Sequence, residues 1–252
     1  MRIDKYLAET FGSRTKAAQA IEKGLVLVNG RTVAVSYEYR EGDNIQHITP
    51  DEQFVSNGGY KLSKALKEFN LSVEGKIFAD IGASNGGFTD CLFQNGAEKV
   101  YCIDVGESQL DKSLLTRNVV VMDNFNARNL SKSCFDERLD GAVIDVSFIS
   151  LTYVLPNVAG ILDDGATVVA LIKPQFECEN KNVGKRGIVK SSETHKYVIT
   201  KIYNFAKSLN LITEDFTTAP IKQGKNIEYL VLLRKNGCKI KTLKEIFKYV
   251  KL

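Results

Sequence analysis

Five short apolar runs, at 76–81, 99–103, 118–121, 141–145 and 167–172, carry almost no polar alternation. A strand with this pattern is buried on both faces, as happens when crossover helices cover a parallel sheet. Helical spacing falls between the runs, near 86–95, 108–115, 150–161 and 192–209. The alternation predicts a doubly wound, Rossmann-like α/β domain over 59–236. Two later runs, 211–217 and 227–233, add strands that close one edge and bring the mostly parallel sheet to seven.

The first fifty residues have a different rhythm. Ile3, Tyr6, Leu7 and Phe11 recur at helical spacing, Gly12 ends that pattern, and Ser13 caps a second one whose apolar face is Ala17, Ala20 and Ile21. After Gly24, the runs 25–28 and 31–35 flank Asn29-Gly30, the signal for a hairpin with a type I′ turn. Residues 1–50 therefore read as a small α+β module and 51–58 as a linker. On helical spacing Arg2, Lys5, Arg14, Lys16 and Lys23 fall opposite the apolar stripes, with Arg31 in the hairpin. Such a set can hold phosphates in a salt-dependent way, although on charge alone a solvated surface is the better fit.

Composition narrows the setting. With 34 Lys and Arg against 30 Asp and Glu, the formal charge of +4 does not by itself mark a nucleic-acid binder. Five cysteines, none in a C-x-x-C pair, argue against a disulfide framework and a zinc site, so a reducing cytoplasm and no metal are expected. No apolar run has the roughly 20 residues needed to cross a bilayer, and the start has no signal-peptide core. The segment 237–252 carries Lys239, Lys241, Lys244, Lys248 and Lys251 around Leu243, Ile246, Phe247 and Val250, a basic C-terminal helix or tail.

The run Phe78-Ala79-Asp80-Ile81 enters a glycine-rich turn, Gly82-Ala83-Ser84-Asn85-Gly86-Gly87-Phe88, and then a helix. Such a turn brings backbone N–H groups close to a ligand, and the expected contacts are Gly82, Ala83, Ser84, Gly86, Gly87 and Phe88. Acidic residues on successive strand ends select the ligand. Asp80 would meet a cationic amino group, Asp104 beside Val105 would accept ribose hydroxyls, and Asp123 beside Asn124 would contact an adenine edge. A carboxylate at this mouth repels a pyrophosphate, whereas S-adenosylmethionine (SAM) has no phosphate and is cationic at its reacting end.

Base-nitrogen methyltransferases commonly carry Asn or Asp before Pro-Pro-aromatic, and cytosine carbon-5 enzymes need a cysteine after Pro or Thr; neither occurs. A lysine, Lys173, ends a buried strand instead, an expensive place for an ammonium unless it is partnered or takes part in chemistry. A ribose hydroxyl is a poor nucleophile that must be oriented and relieved of its proton. Lys173 is the expected base, Asp145 on the adjacent strand end orients it, Lys61 adds a second positive charge, and Glu228 completes the set. Taken singly, Lys61 and Glu228 fit solvated residues better than catalytic ones.

Two resemblances join these signals. R-I-D-K-Y-L followed by S-R-T-K-A-A-Q-A-I-E-K-G-L-V-L-V-N-G-R resembles the S4-type RNA-binding domain, whose helices present basic side chains to structured RNA. By position this implies Arg2, Lys5, Arg14, Lys16 and Lys23. The motifs G-G-Y-K-L-S-K-A-L, D-I-G-A-S-N-G-G-F-T-D-C-L, Y-C-I-D-V-G, D-V-S-F-I-S-L, L-I-K-P-Q-F-E, V-G-K-R-G-I-V and N-I-E-Y together resemble the TlyA family of ribosomal RNA methyltransferases. That resemblance implies an FtsJ-like, SAM-dependent domain and a Lys-Asp-Lys-Glu tetrad at Lys61, Asp145, Lys173 and Glu228. It also implies cytidine 2′-O-methylation of ribosomal RNA, in the large subunit for a short form like this one. Competing expectations are a non-catalytic assembly factor that binds RNA and, since relatives carry hemolysin names, a membrane-active protein.

Overall fold

The computed structural model describes residues 1–22, 24–47, 54–107, 109–179, 182–184, 186–220 and 224–250. A small module comes first: α1 (Ile3–Tyr6), α2 (Arg14–Glu22), β1 (Val26–Val28), β2 (Arg31–Thr32) and β3 (Ile45–His47). Strand β1 pairs antiparallel with both β2 and β3 around a core of Ile3, Leu7, Ala17, Ile21, Val26 and Val28. Asn29 and Gly30 take φ of +52° and +74°, the two positive angles a type I′ turn requires. The second strand of the hairpin is shorter than the 31–35 run, and α1 covers only the start of its apolar pattern.

Next come α3 (Asn57–Glu68), capped by Ser56, β4 (Ile77–Ile81), α4 (Gly87–Gln94), β5 (Lys99–Ile103), β6 (Val119–Met122) and β7 (Gly141–Ile144). They are followed by α5 (Leu155–Ile161), β8 (Thr167–Ile172), α6 (Pro174–Glu177), α7 (Ser192–Ser208), β9 (Leu211–Thr218), β10 (Tyr229–Lys235) and α8 (Leu243–Ile246). Among the described residues seven strands form one sheet in the order β6-β5-β4-β7-β8-β10-β9. Its first five strands are parallel, while β10 runs antiparallel to both β8 and β9.

The missing polar alternation has a direct cause. Along β8, Val168, Ala170 and Ile172 enter the core on one face of the sheet, while Val169 and Leu171 enter the core on the other. Burying each large aliphatic side chain stabilises the fold by roughly 1.5–3 kcal/mol, so both faces reject polar residues. The stretch 108–115 is not the expected α-helix. Ser108 lies outside the described residues, and Asp111 accepts from Ser113 N to cap a 3-10 turn over Lys112–Thr116. The 150–161 stretch is divided into a 3-10 turn, Leu151–Tyr153, and α5. The basic C-terminal segment is anchored: Ile246 is buried in the main core and Lys241 pairs with Asp215 of β9.

Candidate active site

Strand order reverses between β4 and β7, since the chain builds outward from β4 on one side and from β7 on the other. The carboxyl ends of strands at such a switch point open a crevice. Pairing of Ile81 with Ile144 sets Gly82 beside Asp145 at that opening. Gly82 has φ of +82°, and a Cβ there would lie 2.8 Å from the Asp145 carbonyl oxygen, so only glycine fits.

Beyond Gly82 is a cavity of about 350 Å³, lined in part by Ser84, Asp104, Val105, Phe125 and Asn126, and on its far side by Asp145, Ser147 and Phe148. Its volume lies in the range that holds a ligand of cofactor size. The Asp104 carboxylate accepts from Ser84 N and Gly106 N, both at 2.8 Å, which fixes it at the cavity rim. An acidic rim with no opposing basic side chain among the described lining residues suits a cationic, phosphate-free ligand such as SAM.

Of the contacts expected from sequence, Gly82, Ser84, Asp104 and Val105 line this cavity, while Ala83, Gly86, Gly87 and Phe88 do not. Gly86 packs against Leu110 and Leu114, Gly87 against Ser56, and Phe88, on α4 itself, is buried in the core. Asp80 is also absent from the lining. It shares strand parity with Phe78 and so faces the α4 layer, fully buried, where Thr89 Oγ1 donates to its Oδ2 at 2.7 Å. Burial pushes its carboxyl up to about 7, assisted by the Asp145 and Asp104 charges and opposed by Thr89. Asp123 and Asn124 are likewise replaced in the lining by Phe125 and Asn126, because Asn124 turns the chain at φ of +54°.

The four expected catalytic side chains meet next to this cavity. Lys173 follows β8 and is 8 % exposed. Its Nζ lies 2.6 Å from Asp145 Oδ1 and donates to Ser147 Oγ at 2.8 Å. The contact with Asp145 is an ion pair off the hydrogen-bond axis, since Oδ1 has no aligned donor among the described residues. Lys61, on α3, reaches Glu228 Oε2 at 2.8 Å and Asp145 Oδ2 at 3.8 Å. Pairing of Tyr229 with Ile172 brings Glu228 beside the Lys173 end of β8, where Gln175 Nε2 also donates to Glu228 at 3.3 Å.

Several participants escaped sequence reasoning. Ser147, Phe125, Asn126, Gln109 and Gln175 carry no periodic signal. Phe148 had one, an aromatic residue just past an acidic strand end: it is 89 % exposed, has φ of +62°, and sits 4.9 Å from the Phe176 ring.

In the small module Arg2 and Arg14 both bond the buried Asp4, at 3.1 and 2.8 Å. Burial alone would raise the Asp4 carboxyl, but the two guanidinia outweigh it and hold it below the usual carboxylate range. Lys5 and Lys16 are exposed on the same two helices, and Lys23 lies outside the described residues. Arg31 lines a cleft of about 680 Å³ together with Lys61, Lys64 and Lys67.

A doubly wound sheet with an acidic, glycine-gated crevice at its switch point defines the class, a SAM-dependent methyltransferase. Comparison with known proteins agrees. The model of the FtsJ-like methyltransferase family matches residues 54–235, and that of the S4 domain matches residues 1–45. Hemolysin A of Brachyspira hyodysenteriae is 40 % identical over 236 residues, covering 91 % of this chain and 98 % of that protein. The 16S/23S rRNA (cytidine-2'-O)-methyltransferase TlyA of Mycobacterium tuberculosis is 36 % identical, covering 88 % of this chain and 84 % of that protein. A solved Streptococcus thermophilus structure carrying a hemolysin name superposes with a TM-score of 0.76 at 38 % identity, covering 99 % of this chain and 94 % of that one. The chain belongs to the TlyA family of FtsJ-like methyltransferases. Among the described residues no helix is long and apolar enough to cross a membrane.

Proposed function

We propose that this chain methylates the ribose 2′-hydroxyl of a cytidine in large-subunit ribosomal RNA, with Lys173 as the base. The carrying observation is the Lys173 ammonium, 8 % exposed and held between Asp145 at 2.6 Å and Ser147 at 2.8 Å, against a cavity wall that continues to Gly82. The TlyA proteins of M. tuberculosis and Campylobacter jejuni, the latter 31 % identical over 264 residues, both carry names that include 23S rRNA (cytidine-2'-O) methylation.

SAM supplies an electrophilic methyl group when bound, with Asp104, Ser84, Val105 and the Gly82 turn as the residues that would hold it. The chain does the rest. In its neutral amine form Lys173 takes the hydroxyl proton and becomes the ammonium that pairs with Asp145, while Asp145 and Ser147 fix the direction of its nitrogen, which is where orientation contributes most to rate. Lys61 places a second cation between Asp145 and Glu228, so that Asp145 is shared between two lysines. Phe148, at the rim, offers an exposed ring for a base lifted out of its stack. The S4 module binds RNA backbone through Arg2, Lys5, Arg14, Lys16 and Arg31, and the 680 Å³ cleft leads from Arg31 to Lys61.

The test is ribose-methylation mapping on ribosomal RNA treated with the purified chain and SAM. One position resistant to alkaline cleavage is expected, and it should vanish with Lys173→Ala while SAM binding persists. Full activity of Lys173→Ala, or label on a base rather than a ribose, would falsify the reading. Normal ribosome binding with no label transfer would instead identify an assembly factor.

A further inference from the structure

One buried carboxylate has no part in the chemistry above. Glu177 ends α6, one helical turn beyond Lys173, and its side chain is only 2 % exposed. It accepts from Leu151 N at 2.7 Å and from Ser150 Oγ at 2.5 Å, and Lys201 Nζ of α7 pairs with it at 3.2 Å. The same ammonium donates to the Glu177 carbonyl at 3.0 Å. A buried carboxylate that accepts from three donors on separate segments is held rigidly.

Those bonds have a geometric consequence. The segment 173–177 is bolted to the segment 145–151 at both ends: Lys173 to Asp145 and Ser147, and Glu177 to Ser150 and Leu151. Between the two attachments lies Phe148 at φ of +62°, a strained angle for a bulky side chain. Such a conformation persists only where its surroundings overdetermine it. Glu177 does not line the cavity, so it acts on the reaction only through the loop it holds.

We propose that Glu177 is a positioning residue for methyl transfer: by anchoring Ser150 and Leu151 it holds Ser147 and Asp145 on the Lys173 nitrogen and Phe148 at the substrate rim. This rests on the methyl-transfer reading of the site. The competing account is a buried ion pair with Lys201 that serves folding alone.

The full chain, Glu177→Gln and the milder Ser150→Ala are compared by melting curve, SAM affinity, backbone hydrogen exchange over 146–151 and single-turnover methyl transfer. Glu177→Gln is expected to melt cooperatively and bind SAM as the unsubstituted chain does. Exchange over 146–151 should quicken roughly tenfold, the factor one charge-assisted bond is worth. Transfer should fall roughly 100-fold, as for an ångström-scale misplacement of catalytic groups. Ser150→Ala should move both readouts the same way by less, and it decides the matter if Glu177→Gln does not fold. Unchanged exchange overturns the proposal, as does faster exchange with an unchanged transfer rate, or an activity loss that tracks only the melted fraction. Should the unsubstituted chain transfer no methyl group, the functional reading fails, while the exchange rates still decide whether Glu177 holds the loop.

Discussion

The Lys61 ammonium and the Glu228 carboxylate, 167 residues apart in the chain, meet at 2.8 Å, with Asp145 as a third partner at 3.8 Å. The contact ties α3, which precedes the sheet, to the start of β10, close to its end in sequence. An exposed pair would contribute at most about 1 kcal/mol. This one is about four-fifths buried and its lysine shares Asp145 with Lys173, so its effect should fall on the reaction more than on stability.

Lys61→Met is therefore expected to cut single-turnover methyl transfer by roughly 100-fold, the lower range for a residue engaged in proton transfer. Glu228→Gln should lose less, because an amide still accepts from Lys61 and from Gln175. Rates are to be measured with SAM saturating and SAM affinity determined separately. A Lys61→Met rate equal to that of the unsubstituted chain reduces the pair to a structural contact.

Gly82→Ala tests the approach of β4 to β7. The alanine must adopt φ of +82°, which costs about 1–2 kcal/mol, and its Cβ must displace the Asp145 carbonyl from 2.8 Å. Gly165→Ala is the control, with φ of +83° and nothing within 4 Å of the added carbon. Both variants should melt earlier through the backbone cost. Only Gly82→Ala should also lose turnover, roughly 100-fold, through the shift of Asp145. Equal turnover in the two would show that Asp145 tolerates the displacement.

Asp80 gives the fold a pH dependence. Its carboxyl is raised to about 7 in the folded chain by burial, from 3.8 when unfolded. Between those values the folded chain binds a proton that the unfolded chain releases, so this contribution to stability is complete below 3.8 and is lost as pH rises through 7. The amplitude is at most about 4 kcal/mol. Asp80→Asn, neutral at every pH, should flatten the curve of denaturant midpoint against pH from 5 to 8. Parallel curves for the two proteins would mean that the folded Asp80 is ionised throughout that range.

The sheet was legible because its strands are buried on both faces, as β5 and β8 illustrate: no polar residue interrupts either, and both were placed at their observed bounds. The meeting of Asp145 and Lys173 was legible for a related reason. Strand ends are where a charged side chain can leave an apolar run, so Asp145 and Lys173 stood out against their neighbours. Ser147, Gln175 and Glu177 did not, because a polar residue's partner is set by which loops pack together, and spacing along one chain holds no record of that. Asp80 stands apart from the cavity for a reason visible in the parity of β4: it shares with Phe78 the face that α4 covers. The 108–115 stretch misled because its leucines keep helical spacing, yet Leu110 packs against the Gly86 turn from a bend and Leu114 from a short 3-10 segment.

The last prediction concerns the small module. Arg2 and Arg14 are both pinned by Asp4, while their side chains remain 44 % and 56 % exposed, so each guanidinium is oriented by one carboxylate and still open to a second anion. Pre-orientation lowers the entropy lost when a phosphate binds. Removing one phosphate contact reduces the slope of log affinity against log salt by about 0.9 on duplex and about 0.7 on single strands. Arg14→Gln is expected to produce that change in RNA binding measured across a salt series. Asp4→Asn keeps both cations but releases them: the slope should stay the same while affinity falls at every salt concentration. An Arg14→Gln slope identical to that of the unsubstituted chain would remove Arg14 from the RNA interface and leave the Asp4 cluster a structural one.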